Sequence, residues 1–314
     1  MTTTRERSGA GQFAGEVEGG RWKRQRNAFT DRFSADGSTG FPAVAGRYHL
    51  YACQACPWAH RSVIVRELLG LTDAIGLTYV DPIRDERGWR FTLEPDPVEG
   101  FGLLSEAYER TDPGYSGRVT VPCIWDRKTG RLVTNDYPQI TLDLETEFAA
   151  LHADGAPDLY PEHLRAEIDE LVEPIYHDVN NGVYKAGFAT EQDAYEEAYE
   201  ALFARLDALE DRLSTRRYLM GDQVSEADVR LFTTLVRFDA VYHGHFKCNR
   251  QKIAEFEHLS GYARDLFSIP AFGTTTDFDA IKRHYYVTHD TINPTGVVPA
   301  GPDESWWRQP HGRV

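Results

Sequence analysis

The chain has 314 residues, of which 41% are hydrophobic and 12% aromatic, and this is enough for a sizeable core and for two domains. Its formal net charge of −15 argues against nucleic acid and anionic membranes as partners. No segment approaches the run of about eighteen apolar residues that a transmembrane helix needs, so we expect no membrane span.

The four cysteines are too few for a disulfide scaffold. No cysteine and histidine spacing resembles a zinc site, and we expect no metal. The first residues, 1–6, lack the apolar core of a signal peptide. Together these features favour a reducing cytoplasm as the compartment.

Residues 1–45 are rich in glycine, arginine and serine and show no clean period, which predicts a mobile start followed by an irregular arm over the core. Residues 47–52 alternate polar and apolar side chains and predict a short strand. Residues 62–70 carry apolar side chains at helical spacing and end on a glycine, which predicts a helix. The segment between them, 53–61, reads Cys-Gln-Ala-Cys-Pro-Trp-Ala-His-Arg and contains two cysteines at a strand-to-helix turn.

Cys56 is the residue that this pattern selects as the nucleophile. Proline is favoured at the first helical position, so Pro57 would begin the helix and Cys56 would be its N-cap. The free backbone N–H groups and the positive end of the helix dipole favour a thiolate at that position. The alternative is a small buried apolar residue, as most free cysteines are.

Cys53 forms a C-x-x-C pattern with Cys56, which suggests a dithiol redox pair. The register differs from that of thioredoxin, where the first cysteine caps the helix and the second lies in its first turn. Here the second cysteine is the cap and Ala59 has the place of the inner partner. A resolving role for Cys53 is therefore the less favoured alternative.

Residues 75–80 predict a second strand, which completes a βαβ unit with parallel strands. Residues 83–118 are charged and rich in proline and glycine, too long for an ordinary loop, and we interpret them as an insertion. Trp89 within it is more often a packing anchor than a ligand contact. Residues 119–125 predict a strand in which Pro122 must lie at the start or in a bend, and a hairpin and a helix follow.

The order βαβ, hairpin, helix is that of a thioredoxin fold. A linker at 153–158 separates it from residues that predict helices almost to the end, including an amphipathic helix over 191–213. Ser225 and Asp228 form a capping-box pattern at the start of another helix. The predicted organisation is an N-terminal arm (1–45), an α/β thioredoxin-like domain (46–150) and an all-helical domain with a C-terminal tail (160–314).

A thioredoxin-like half joined to an all-helical half with a capping box resembles the glutathione transferase fold. Several longer strings resemble those of one class, the glutathionyl-hydroquinone reductases, also called the Xi class. These strings are residues 47–51, 55–61, 180–190, 230–239, 245–249 and 292–296. The resemblance covers about residues 40–302.

The resemblance implies a mechanism. The cysteine at the position of Cys56 attacks the sulfur of a thiol-conjugated hydroquinone, releases the hydroquinone and keeps the thiol as a mixed disulfide, which a second thiol resolves. The leaving carbon needs a proton, so hydroxyl groups nearby would help. Tyr184 matches a tyrosine of the family's hydroquinone pocket, and Tyr285 or Tyr286 is a candidate for another. For Tyr285 and for Tyr286, the alternative to a functional role is ordinary packing in the core or at an interface.

On the thiol side, Val121 and Pro122 match the family's cis-proline segment, whose backbone pairs with the bound thiol. Trp89 matches a tryptophan over the thiol groove, and Arg118 is a weaker candidate for a carboxylate contact. Where the family usually has Glu-Ser for the γ-glutamyl group of glutathione, this chain has Asp136 and Tyr137.

Tyrosine is much bulkier than serine, so Tyr137 should crowd the γ-glutamyl pocket. Cys53 also replaces a residue that is commonly serine. The co-substrate is therefore glutathione or another small thiol, such as the sugar-based mycothiol, and the resemblance implies a homodimer. Two other functions stay open: a dithiol oxidoreductase using Cys53 and Cys56, and a non-catalytic scaffold that binds a thiol or a partner protein.

Overall fold

The computed structural model describes residues 16–92 and 95–313. The N-terminal half is centred on a four-stranded sheet of β3 (Tyr48–Ala52), β4 (Ile75–Tyr79), β5 (Cys123–Asp126) and β6 (Arg131–Thr134), in the order β4-β3-β5-β6. Strand β3 pairs with β4 in parallel and with β5 antiparallel, and β5 pairs with β6 antiparallel. A separate hairpin of β1 (Val17–Glu18) and β2 (Arg21–Trp22) precedes the sheet. The helices of this half are α1 (Pro57–Leu68), α2 (Leu104–Thr111) and α3 (Tyr137–Thr146).

This arrangement confirms the predicted thioredoxin-like fold, and it changes the interpretation of residues 83–118. The segment contains α2, which packs against β6. Thr111 fixes this contact because its hydroxyl accepts a hydrogen bond from the backbone N–H of Leu132 at 2.8 Å. Part of the predicted insertion is therefore a helix of the fold itself. The high charge and proline content of residues 83–118 obscured the periodicity of α2, a helix of about two turns with a short apolar face.

Helices make up most of the chain after residue 160. They are α4 (Arg165–Pro174), α5 (Gly182–Gly187), α6 (Gln192–Leu213), α7 (Glu226–Arg237), α8 (His258–Ser268), α9 (Pro270–Gly273) and α10 (Phe278–Thr288), with π-helical turns at Ile175–Asn180 and Phe238–Tyr242 and 3₁₀ turns at Ala149–Leu151, Glu162–Leu164, Ile253–Glu255 and Glu304–Arg308. Tyr285 and Tyr286 lie in α10. Across residues 16–92 and 95–313, no helix is both long and apolar enough to cross a membrane.

The start of α7 is held by the predicted capping pair. The backbone N–H of Ser225 donates to the carboxylate of Asp228 at 2.8 Å. Asp228 is fully buried and also accepts hydrogen bonds from the backbone N–H of Leu219 and the hydroxyl of Tyr262. Burial raises the pKa of this carboxyl, and the four surrounding donors counteract the rise.

The two halves meet where α1, which packs against α3 within the N-terminal half, also packs against α7 of the helical half. At this junction the carboxyl groups of Glu145 and Glu226 lie together in the interior, and Glu226 accepts hydrogen bonds from Thr141 and Arg230 at 2.5 Å each. Burial, and then the negative charge of Glu226, raise the pKa of Glu145 well above its ordinary value. The folded protein therefore favours the neutral form of Glu145.

Glu145 makes stability depend on pH. A carboxyl whose pKa is raised on folding stabilises the fold below its unfolded pKa, and this stabilisation declines as the pH rises through the folded pKa. Replacing Glu145 with glutamine removes the ionisation. We expect the unfolding free energy of Glu145→Gln, relative to the wild type, to increase as the pH rises above about 4.3, the ordinary pKa of a glutamate side chain, by about 1.4 kcal/mol per pH unit until the folded-state pKa is reached. Urea unfolding checks this, with the exposed Glu170→Gln as control. Parallel curves for the variant and the wild type would contradict it.

Candidate active site

Cys56 lies in a cleft between the two halves of the chain, directly before the first residue of α1. Pro57 is the first residue of α1, and Cys56 is its N-cap with an extended backbone (φ −81°, ψ 118°). The sulfur is partly exposed and lies 3.5 Å from the carbonyl oxygen of Val121. The strand-to-helix turn thus presents the thiol to the cleft beside the backbone N–H groups of the helix start.

A buried arginine from the helical half holds the turn before Cys56. The guanidinium of Arg237 donates to the carbonyl oxygens of Gln54 and Ala55, both at 2.9 Å, and to Nδ1 of His60 at 3.1 Å. Arg237 is fully buried. The position of Cys56 therefore depends on α7 as well as on its own strand and helix.

Cys53 is placed differently from Cys56. Its side chain is fully buried, and its carbonyl oxygen accepts the backbone N–H of Cys56 at 3.0 Å. Burial, with a smaller contribution from Cys56, raises the pKa of Cys53 to about 12. A thiol in this environment is protonated near neutral pH, and it has no access to the cleft. These features disfavour a resolving role.

One wall of the cleft contains the residues predicted for the thiol. The peptide between Val121 and Pro122 is cis. Trp89 is nearly buried and stacks on His284 of α10, with ring centroids 5.4 Å apart. Arg118 donates to the carboxylate of Glu16 at 2.8 Å, and burial lowers its pKa to about 10. A carboxylate ligand of Arg118 would therefore compete with Glu16.

Asp136 and Tyr137 begin α3. Asp136 is the N-cap and accepts a hydrogen bond from the side chain of Asn27 at 2.8 Å. The Tyr137 ring lines the cleft, lies 4.6 Å from the ring of Trp58 and has its hydroxyl 2.8 Å from that of Tyr176. Tyr137 thus occupies cleft space beside Trp58.

Another part of the cleft lining is aromatic, with hydroxyl groups among the rings. The hydroxyl of Tyr285 lies 2.5 Å from that of Tyr184 and 2.9 Å from that of Tyr242. Tyr184 and Tyr285 line the cleft together with Phe188 and His289. Burial raises the pKa of both cleft tyrosines.

Tyr286 lies away from this cleft. It lines a separate surface depression together with His245 and Asn293, and its hydroxyl lies 3.4 Å from the carbonyl oxygen of Ala240. Successive residues of a helix point about 100° apart, so Tyr285 and Tyr286 of α10 face different sides. Of these two candidates, the structure places Tyr285 at the site.

The N-terminal arm contributes residues that the sequence analysis did not single out. Trp22 of β2 stacks on Tyr184 at 5.6 Å, and the Arg24 guanidinium lies over the rings of Trp22 and Trp58 at 4.8 and 4.3 Å. The Arg24 side chain also donates to Asn181 at 3.1 Å. The arm therefore closes one side of the cleft. The sequence signal that could have indicated these cleft residues was a tryptophan and an arginine two positions apart in a segment without periodicity.

The cleft is positively charged although the whole chain is acidic. Four arginines line it, Arg24, Arg26, Arg84 and Arg118, against the single carboxylate of Glu16 among the described lining residues. A cleft with this charge attracts anions and raises their local concentration. It is therefore suited to a ligand with carboxylate groups.

A thioredoxin-like half with a cysteine at the start of α1, followed by a helical half that closes the cleft, is the architecture of glutathione transferases. Family models agree: the glutathione S-transferase N-terminal domain matches residues 55–147, and the C-terminal domain matches 192–265. A solved glutathione transferase from Gordonia bronchialis is 56% identical, with a TM-score of 0.89, and covers 91% of this chain and 90% of its own.

Two curated relatives narrow the class. Glutathionyl-hydroquinone reductase YqjG of Escherichia coli is 46% identical over 94% of this chain and 93% of its own length. Glutathionyl-hydroquinone reductase PcpF of Sphingobium chlorophenolicum is 44% identical over 90% of each. The glutathione-bound structure of YqjG has a TM-score of 0.86 and covers 96% of this chain and 99% of its own. The chain belongs to the glutathionyl-hydroquinone reductases, the Xi class of glutathione transferases.

Proposed function

We propose that this protein reduces glutathionyl-hydroquinones to free hydroquinones through a mixed disulfide on Cys56. The observation that carries the proposal is the position of Cys56, the N-cap of α1, in a cleft that Tyr184 and Tyr285 also line with their paired hydroxyls. The thiolate attacks the sulfur of the conjugate, and the hydroquinone carbon leaves and takes up a proton. Glutathione then attacks the mixed disulfide and restores Cys56.

Each half of the conjugate has a wall suited to it. The backbone at Val121 and Pro122 is adjacent to the Cys56 sulfur and would pair with the backbone of the thiol. Trp89 and Arg118 would cover the thiol and bind a carboxylate. The aromatic rings of Trp22, Tyr184 and Phe188 would hold the hydroquinone, with Tyr184 and Tyr285 as hydroxyl donors.

Glutathione is the first candidate for the thiol because it carries two carboxylates and four arginines line the cleft. Mycothiol is the second candidate, since it has no γ-glutamyl group and Tyr137 occupies space beside Trp58. The distinguishing experiment measures kcat/KM with the glutathionyl and the mycothiyl conjugate of the same hydroquinone. Turnover of the glutathionyl conjugate supports the first candidate. Turnover of the mycothiyl conjugate alone would replace it.

Replacing Tyr137 with serine tests the steric argument directly. If Tyr137 crowds the γ-glutamyl group, Tyr137→Ser increases kcat/KM for the glutathionyl conjugate by about tenfold, or about 1.4 kcal/mol, and leaves the mycothiyl conjugate within about twofold. Tyr137→Phe keeps the ring, loses only the bond to Tyr176, and is the matched control. Equal effects of Tyr137→Ser on both conjugates would contradict the argument.

A homodimer in a reducing cytoplasm completes the proposal. All four cysteines of the chain are free in the structure, which agrees with a reducing compartment. Sedimentation equilibrium tests the assembly: a mass twice that of the 35.6 kDa chain supports the dimer, and the monomer mass would overturn it.

A further inference from the structure

The proposed reaction consumes a proton inside the cleft. When the Cys56 thiolate attacks the conjugate sulfur, an S–S bond forms and the carbon–sulfur bond breaks. Its electron pair goes to the hydroquinone, whose carbon takes up one proton. When a second thiol resolves the mixed disulfide, its S–H proton is released and the Cys56 thiolate returns. Each turnover therefore takes one proton up and gives one back.

The tyrosine hydroxyls cannot supply this proton repeatedly by themselves. The chain of hydroxyls runs from Tyr184 through Tyr285 to Tyr242, and Tyr242 is fully buried. A proton given up by Tyr184 would not be replaced from water through Tyr242. The bound conjugate would also displace water from the cleft itself. A source on another side is needed while the cleft is filled.

Two histidines connect the cleft to the separate depression described above. His289, the C-cap of α10, lines the cleft, and its ring contacts that of Tyr285 with centroids 5.2 Å apart. Its Nδ1 lies 3.2 Å from Nε2 of His245, and the two rings stack. His245 in turn lines the depression, beside Lys247 and Tyr286.

We propose that His245 and His289 form a proton path that delivers the proton consumed by hydroquinone release from the depression to the cleft. This inference rests on the proposed function. A proton from water binds His245 at Nδ1, the Nε2 proton of His245 passes to Nδ1 of His289, and the Nε2 proton of His289 passes to the hydroquinone carbon in the cleft. An imidazole can accept at one nitrogen while it donates at the other, which makes a stacked, hydrogen-bonded pair suitable for transfer.

The environment of His245 and His289 disfavours their protonated forms. Both histidines are nearly buried, with exposures of 5% and 4%. Burial and then Lys247 lower the pKa of His245 to about 4, while burial, His284, His245, Arg84 and Arg118 lower that of His289. Neutral rings pass a proton on because holding it is unfavourable.

The test separates the two half-reactions. Wild type and His245→Gln, in excess over S-glutathionyl-p-hydroquinone or its mycothiyl analogue and without free thiol, are quenched rapidly, and released hydroquinone is measured. Glutamine can keep the hydrogen bond of Nε2 but cannot transfer a proton. We expect release to slow by about 10- to 100-fold, and imidazole in the buffer to restore it. Resolution of a preformed mixed disulfide by added thiol should stay within about twofold.

Further variants exclude a structural explanation. His289→Gln should show the same loss, and the double variant should lose no more than either single one, because the two groups act in series. His243→Gln, two residues before His245, should keep both rates. An unchanged release rate in His245→Gln, or equal slowing of both half-reactions, would overturn the path. A wild type that releases no hydroquinone would overturn the proposed function, and the path with it.

Discussion

Replacing Cys56 with serine is expected to lower kcat/KM for the hydroquinone conjugate by about 10⁴-fold or more, since a serine hydroxyl is not ionised near neutral pH and does not exchange with sulfur. Intact-mass spectrometry after exposure to glutathione disulfide, or to mycothiol disulfide, should show one thiol adduct on the wild type and none on Cys56→Ser. A partly exposed cysteine and its replacement by serine differ little in packing, so the fold should not change.

Cys53→Ala is the matched control. Its thiol is fully buried and protonated, so its removal should leave turnover within about twofold and should leave the adduct on Cys56 in place. A dithiol oxidoreductase would behave in the opposite way, because loss of a resolving thiol traps the mixed disulfide and stops turnover. If both cysteines proved essential, the proposed single-cysteine mechanism would be wrong. If neither mattered, the scaffold alternative would remain.

The sequence was sufficient for the parts of the site that are local in the chain. A proline directly after Cys56 specifies a helix start within a few residues, and the structure has Pro57 at that place. The strand at 47–52 and the amphipathic helix at 191–213 were likewise predicted from neighbouring side chains, and the structure has β3 at Tyr48–Ala52 and α6 at Gln192–Leu213. In the 83–118 segment the local signal was weak, and α2 was missed.

The residues that sequence analysis missed act across long separations. Arg237 contacts Ala55 over 182 positions, and Arg24 contacts Asn181 over 157. Nothing in the local sequence around a buried arginine of an amphipathic helix predicts which residue the arginine will contact. Likewise, His245 and His289 stand 44 positions apart, and only the packing of α10 brings their rings together. Local patterns predict elements, whereas such contacts depend on how the elements pack.

Arg237 therefore gives the second large expected effect. In Arg237→Met the side chain keeps its length and loses its donors. The carbonyl oxygen of Ala55 and Nδ1 of His60 would then be buried without this donor, and the half-buried carbonyl oxygen of Gln54 would lose it too. Each unsatisfied group costs about 1–3 kcal/mol, so we expect the unfolding free energy to fall by about 3 kcal/mol or more. Urea unfolding measures this, and Arg283→Met, an exposed residue of α10, is the control.

The same variant should also affect the chemistry of Cys56, because Arg237 fixes Gln54 and Ala55, the two residues that directly precede the nucleophile. At a temperature where circular dichroism shows Arg237→Met to be folded, we expect hydroquinone release to be at least about tenfold slower, since small displacements of a reacting atom are costly. Arg237→Lys, which keeps a charge and can reach one carbonyl, should fall between. A folded Arg237→Met with the wild-type rate would show that α1 and β3 position Cys56 without α7. An intermediate rate for lysine would show that the thiol site belongs to both halves of the chain, since the donor and the nucleophile lie on opposite sides of their junction.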